Sequence, residues 1–263
     1  MSDTYIYEYN ENENEQILVT CKTVDYGGNG SYMYEYNENE QILVTCKTVD
    51  YGGNGSFRKN TEIWEKQSLN YFYNLIDKNN KVNIVDIGAS VGLYSLYAKH
   101  LPNSQFYSYE PYKFTYDLLN DNIKLNNITN VQTYNIGLSD KKGPTILNVC
   151  LPGDGANTMG SIPLRFTDPF PIEVETDTLD NIFYNNNIKV DFIKIDAEGW
   201  EYHILKGGEK TIKTYKPIIQ LEYNETNMKQ CDIKPEQLLN YINELGYKQH
   251  NLIGEELIIV PNL

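Results

Sequence analysis

The stretch Val82-Asn83-Ile84-Val85-Asp86-Ile87-Gly88-Ala89-Ser90-Val91-Gly92 constrains the fold more than any other part of this 263-residue chain. Its first six residues are mostly β-branched and apolar, as a buried strand requires. Two glycines then mark a tight turn, because glycine adopts backbone angles that other residues avoid. Leu93 to Leu101 follows with helical character. A strand, a glycine turn and a helix form one unit of an α/β sheet, and the pattern continues downstream. Further strands are expected at 105–109, 131–136, 145–149, 172–175, 190–195 and 217–221. Helices are expected at 61–78, with Glu62 and Glu65 in its first turns, and at 112–126, 177–185, within 199–215 and at 235–245. Residues 247–251 and 256–260 read as a closing hairpin. Strands alternating with helices imply a mostly parallel sheet covered on both faces, and the hairpin adds an antiparallel edge.

The glycine turn also suggests a ligand. Helix N-terminal N–H groups favour a phosphate or carboxylate. Glu110 ends the next strand, where a carboxylate can accept hydrogen bonds from both ribose hydroxyls of an adenosine cofactor. Dinucleotides and S-adenosylmethionine (SAM) both fit this much. The spacing here is Gly-x-x-x-Gly, not Gly-x-Gly-x-x-Gly, and Asp86 is placed to meet a cationic cofactor or to organise the turn. That combination favours SAM.

A second constellation lies in Asp191-Phe192-Ile193-Lys194-Ile195-Asp196-Ala197-Glu198-Gly199-Trp200-Glu201. Its apolar run is expected to be a central strand, so Asp196 and Glu198 emerge at the carboxyl end, beyond which open α/β sheets bind ligands. The following strand ends similarly, in Glu222 and Asn224. Asp196, Glu222 and Asn224 offer oxygen ligands of the kind that suits Mg²⁺ or Ca²⁺. Alternatively Asp196 or Glu198 acts as a general base. Some of these acids, Glu201 above all, could simply cap the next helix. His203 reads as structural, Trp200 as either pocket wall or packing, and residues 153–160 as an irregular binding loop.

The N-terminal part is organised differently. Residues 16–31 and 41–56 are the same sequence, QILVTCKTVDYGGNGS. Each copy, at 4–30 and 31–55, reads as two short strands joined by an Asn/Glu run, and Gly52 to Gly55 as a flexible loop. Residues 1–56 are thus expected to be a duplicated β extension, and 57–263 the main domain. The bland account of the duplication is a recent in-frame event, and Met33 offers an internal start.

Charge excludes some functions. The formal net charge is −14, and residues 4–56 carry −7 of it. So acidic a chain is a poor nonspecific binder of nucleic acid, which demands Lys and Arg against phosphate, although the argument weakens for the main domain. No apolar run reaches the ~18 residues of a membrane span, and the first residues lack a secretory signal. With four cysteines, none at zinc-site spacing, a cytoplasmic location is the expectation.

The segments VDIGASVGLYSL (85–96), YEP (109–111), NIKLNN (122–127), GLSD (137–140), FIKIDAEGWEYHILKGG (192–208) and PIIQLEYNE (217–225) together resemble the FkbM-type SAM-dependent methyltransferases. The run KIDAEG, followed by Glu201 and LKGG, is the most specific of these pieces. The resemblance implies a Rossmann-like class I methyltransferase fold with a seven-stranded sheet, and methyl transfer to a hydroxyl of a sugar, glycan or other small molecule. By the same carry-over Asp86, Gly88 and Gly92, with Ala89 in their turn, hold the methionine end of SAM. Glu110 binds the ribose, Gly137, Leu138 and Asp140 lie near the adenine, and Asp196 and Glu198 face the reacting centre. Two rivals remain on the sequence: an NAD-dependent sugar oxidoreductase, and a non-catalytic interaction protein on the same fold.

Overall fold

The computed structural model describes residues 66–150, 156–161 and 169–262, and the backbone of five short strands between residues 4 and 47. β1 (Thr4–Tyr9) pairs antiparallel with β2 (Ile17–Lys22), and β4 (Gly30–Tyr36) with β5 (Ile42–Lys47). β3 (Val24–Asp25) joins β4. Each copy of the duplication therefore holds the two strands its composition called for. The Gly52–Gly55 loop, Glu62, Glu65 and part of the irregular stretch (151–155 and 162–168) lie outside the described residues.

Seven strands form the main sheet: β6 (Val82–Ile87), β7 (Ser104–Tyr109), β8 (Val131–Tyr134), β12 (Phe192–Ile195), β13 (Ile218–Glu222), β14 (Tyr247–Ile253) and β15 (Glu256–Pro261). Their spatial order is β14-β15-β13-β12-β6-β7-β8. All neighbours from β13 to β8 run parallel, and the β14–β15 hairpin packs antiparallel against β13. This is the mostly parallel sheet with an antiparallel C-terminal hairpin that the alternating pattern predicts.

Side chains alternate across the strands and so feed two cores. Ile84, Phe106 and Phe192 face α1 (Lys66–Leu75), a 3₁₀ turn at Ser95–His100 and α2 (Lys113–Leu125), where Leu69, Phe72, Leu96 and Leu119 are buried with them. Val85, Ile87, Ile193, Ile195, Ile219 and Leu221 face the other way. They pack against α3 (Glu201–Gly207), α4 (Glu209–Tyr215) and α6 (Pro235–Glu244).

Several expected elements are shorter or of another kind. The helix expected at 93–101 is the six-residue 3₁₀ turn, and that at 177–185 is a five-residue π turn, Asp180–Tyr184. The strands expected at 145–149 and 172–175 run longer, as β10 (Gly143–Val149) and β11 (Phe170–Asp177). With the two-residue β9 (Gly137–Leu138) they make a separate small sheet, order β10-β11-β9. The short helix α5 (Glu225–Gln230) has no counterpart in the sequence expectations.

Candidate functional site

Strand order reverses direction at β6: β7 and β8 lie on one side, β12 and β13 on the other. Open α/β sheets bind ligands in the crevice at such a switch point, outside the carboxyl ends of the strands. The two strands that meet there end in Gly88 and Asp196. Gly88 has φ +73°, and a Cβ placed on it would lie 1.7 Å from the Asp196 carbonyl oxygen. Only glycine lets these strand ends come so close. Ser90 continues the turn in the left-handed region, with φ +49°.

A cleft with about 560 Å³ of empty space, part of it open to solvent, lies over this junction. Gly88, Ser90, Glu110, Gly137, Leu138, Asp196 and Trp200 line it, together with Tyr109, Asn157 and Met159. A Cβ on Gly137 would lie 2.2 Å from Met159 Cε, so a larger residue there would crowd the cleft wall. Glu110 is buried and ties two elements together: the backbone N–H of Ser90 donates to Oε2 at 2.9 Å, and that of Tyr112 to Oε1 at 2.8 Å. Burial pushes its carboxyl up to about 7, against the opposing hydrogen bonds from Tyr112, Thr115 and Ser90.

Asp86 organises the turn from below. It is 2% exposed, and the Ser95 hydroxyl donates to it while sharing a second bond with Ser108. Burial raises its carboxyl to about 6. Ser108, Asp86, Lys194 and Gln220 stand at one register level across four adjacent strands, a buried polar row one step inside the sheet's carboxyl edge. Lys194 completes the row by donating to Glu256 Oε1 at 2.6 Å from the closing hairpin. Its Nζ also lies 3.4 Å from Asp196 Oδ2 and 4.9 Å from the centre of the Tyr94 ring.

Beyond Asp196 the chain turns sharply. Glu198 has φ +50° and Gly199 φ +96°. Glu201, the first residue of α3, braces this turn by accepting from the backbone N–H groups of Ala197 and Gly199. Burial raises its carboxyl to about 7, and instead of capping α3 its side chain ties down the turn that precedes the helix. Asn227 of α5 donates to Glu198 Oε2 at 2.7 Å and to Glu222 Oε1 at 2.9 Å. Burial, followed by the charges of Asp196, Glu201 and Glu198, pushes Glu222 up to about 11.

The sequence-derived residues thus divide. Gly88, Glu110, Gly137, Leu138 and Asp196 share the cleft wall. Ala89 is buried beneath the turn, and a Cβ on Gly92 would lie 2.7 Å from Leu119 Cδ1, which ties that glycine to helix packing. Asp140 lies 3.6 Å from His203 Nδ1, and His203 stacks on Trp200 with ring centres 4.0 Å apart. Trp200 is a wall residue whose indole N–H donates to Ser139 Oγ at 3.0 Å. Asn224 does not join the acids: it caps α5, accepting from the N–H groups of Thr226 and Asn227, and donates to Glu255. Glu198, expected to face the reacting centre, is not among the residues that line the cleft; one of its carboxylate oxygens groups instead with those of Asp196 and Glu222. Lys194, Asn227 and Glu256 are the site-supporting residues that sequence reasoning missed. A lysine inside the apolar run Phe192-Ile193-Lys194-Ile195 was the available signal, since a buried charge must be paired.

The two raised carboxyls below the cleft have a measurable consequence. Asp86 and Glu110 ionise near 4 in an unfolded chain but hold their protons to about 6 and 7 when folded. Between those limits the folded state binds more protons, so their contribution to stability is full below about pH 4 and is lost as pH rises through 7. The melting temperature is expected to be higher at pH 5 than at pH 8, by roughly 8–16 °C. Thermal melts in matched ionic strength measure it, and a Glu110→Gln variant should show a smaller difference.

The strand order, the glycine turn at the switch point and the acidic end of β7 define a Rossmann-like fold of the class I methyltransferases. The family model described as "Methyltransferase FkbM domain" matches residues 86–248, well over half of the chain. The chain belongs to that family. It is 27% identical over 177 residues to "Methyltransferase sdnD" of Sordaria araneosa, covering 55% of this chain and 67% of that one. It is 28% identical over 142 residues to "Methyltransferase 1" of Beauveria bassiana, covering 47% and 57%. The chain thus spans little more than half the length of the second relative. A solved structure of Methyltransferase FkbM from Methylobacillus flagellatus KT aligns with a TM-score of 0.45 and 15% identity, over 81% of this chain and 48% of that one. No helix among the described residues is long and apolar enough to cross a membrane.

Proposed function

We propose that this chain transfers a methyl group from SAM to a hydroxyl of a sugar, glycan or other small molecule. The observation that carries the reading is the meeting of Gly88 and Asp196 at the switch point, with Glu110 on the same cleft wall. The residues suit the donor. Glu110 presents a carboxylate at the strand end where ribose hydroxyls are recognised. Gly88, Gly137 and Leu138 line the same cleft as Glu110, where the rest of the donor would lie.

When bound, SAM supplies a methyl group already activated on a sulfonium. The chain's task is then positioning and proton removal, because an in-line approach supplies much of the rate. Asp196 is the proton acceptor. Its carboxyl is part-exposed at the cleft, and it takes the hydroxyl proton as the acceptor oxygen bonds to the methyl carbon. Residues 57–263 carry this activity, and the acidic duplicated extension lies outside it.

Calorimetry with SAM tests the donor half. Wild-type protein should bind it, and Glu110→Ala should bind at least about tenfold more weakly, as expected for losing hydrogen bonds to a charged group. Deleting residues 4–30 should leave the affinity unchanged. A screen of sugars, glycans and lipids with methyl-labelled SAM tests the acceptor half. Binding of NAD in place of SAM would overturn the proposal.

A further inference from the structure

We infer that Asp196, Glu198 and Glu222 form a binding site for a hard divalent cation at the acceptor end of the cleft. One carboxylate oxygen from each residue lies within 4.8 Å of the other two, a spacing that one cation with oxygen ligands can bridge. Asp196 and Glu222 stand at the ends of two adjacent parallel strands, and Glu198 is brought to them by the turn after Asp196. Asn227 occupies one oxygen of Glu198 and one of Glu222, and Lys194 approaches Oδ2 of Asp196.

Two observations point to a ligand. The first is an orphan. Glu222 is 8% exposed, its Oε1 accepts from Asn227, and its Oε2 is buried with no hydrogen-bond partner among the described residues. A buried carboxylate oxygen without a partner is costly, and this one belongs to the ligand set. The second is charge. Asp196, Glu198, Glu201, Glu222 and Glu256 are neighbours, and Lys194 is the cation placed among them. Lys194 pairs with Glu256 at 2.6 Å and more loosely with Asp196 at 3.4 Å. A divalent cation bound by the set would offset the charge of the carboxylates it ligates.

Three carboxylates with no nitrogen or sulfur ligand select Mg²⁺, Mn²⁺ or Ca²⁺ over softer metals. Asp196 also lines the cleft, so a cation on this set has an open side toward an acceptor oxygen. There it would lower the pKa of a bound hydroxyl. The cation's role in turnover rests on the methyl-transfer reading, but its binding does not.

Mn²⁺ is the probe, followed by the electron paramagnetic resonance signal of the free ion with the full chain. The expected result is one Mn²⁺ per chain, displaced by Mg²⁺, with affinity at least tenfold weaker in Glu222→Gln and in Glu198→Gln. Circular dichroism identifies a variant that has not folded, and the other variant then decides. No Mn²⁺ bound at about 1 mM, the weak end of biological divalent sites, would overturn the inference, as would equal binding by both folded variants. SAM calorimetry on the same samples is read separately. A chain that binds Mn²⁺ but not SAM sinks the methyl-transfer reading and leaves the metal site standing.

Discussion

Gly88→Ala is expected to eliminate SAM binding and to destabilise the fold by about 3 kcal/mol or more, the sum of a strained backbone and an overpacked junction. Both effects arise at one atom. A Cβ at this position would lie 1.7 Å from the Asp196 carbonyl oxygen and 2.8 Å from its carbonyl carbon. Those are backbone atoms of an adjacent strand, not the movable end of a side chain. Relief therefore requires β6 and β12 to part at the point where the cleft begins. The positive φ adds strain whatever the space. For a main domain of this size, such a loss should lower the melting temperature by roughly 6–12 °C.

Two other glycines separate the causes. Gly143 has φ +135° with nothing within 4 Å of a Cβ, so alanine there meets strain alone, about 1 kcal/mol. Gly92 has φ +102° and meets the Leu119 side chain at 2.7 Å, which can shift. Differential scanning calorimetry should rank the losses Gly88, Gly92, Gly143, and only the first should remove the donor site. Equal losses at Gly88 and Gly143 would show that the close approach of the two strands has no energetic consequence.

This close approach was partly legible in the sequence. The glycine turn after a β-branched run announced a strand end with something near it, and the spacing to Glu110 announced the neighbouring strand. The parallel order followed from alternation, and the antiparallel edge from the hairpin at the C-terminus. What the chain hid was pairing across long separations. Lys194 and Glu256 are partners 62 residues apart, and no local pattern links them. Asn224 illustrates a different limit. Its side chain suits a cation and a helix N-terminus equally, and only α5, too short for a periodic signal, shows that it caps. Asp86 likewise suited two roles, meeting a cationic cofactor or organising the turn, and the Ser95 hydroxyl that donates to it holds it beneath the turn. Sequence position put these polar groups near the cleft, while burial decided which of them face it.

Asp196→Asn is expected to lower turnover by about 10²- to 10⁴-fold, the usual contribution of a general base, with SAM affinity changed less than twofold. The variant separates two parts of one residue. The Asp196 backbone packs on Gly88 and is untouched by the change, so the donor cleft keeps its shape. Its carboxylate, by contrast, is the acidic group that reaches the cleft from β12. Lys194 stays paired with Glu256 at 2.6 Å when the neighbouring charge at 3.4 Å is removed, so no buried cation is orphaned. Single-turnover kinetics with saturating SAM read the chemical step directly. Unchanged turnover would remove Asp196 from the reaction. Comparison with Glu222→Gln then tells how the carboxylates work. If Asp196 acts alone as the base, Glu222→Gln keeps its rate, because Glu222 lies behind Asp196 and is 8% exposed. If a cation on the three acids activates the acceptor hydroxyl, both variants lose the rate together, and added Mg²⁺ restores part of it in Glu222→Gln by mass action.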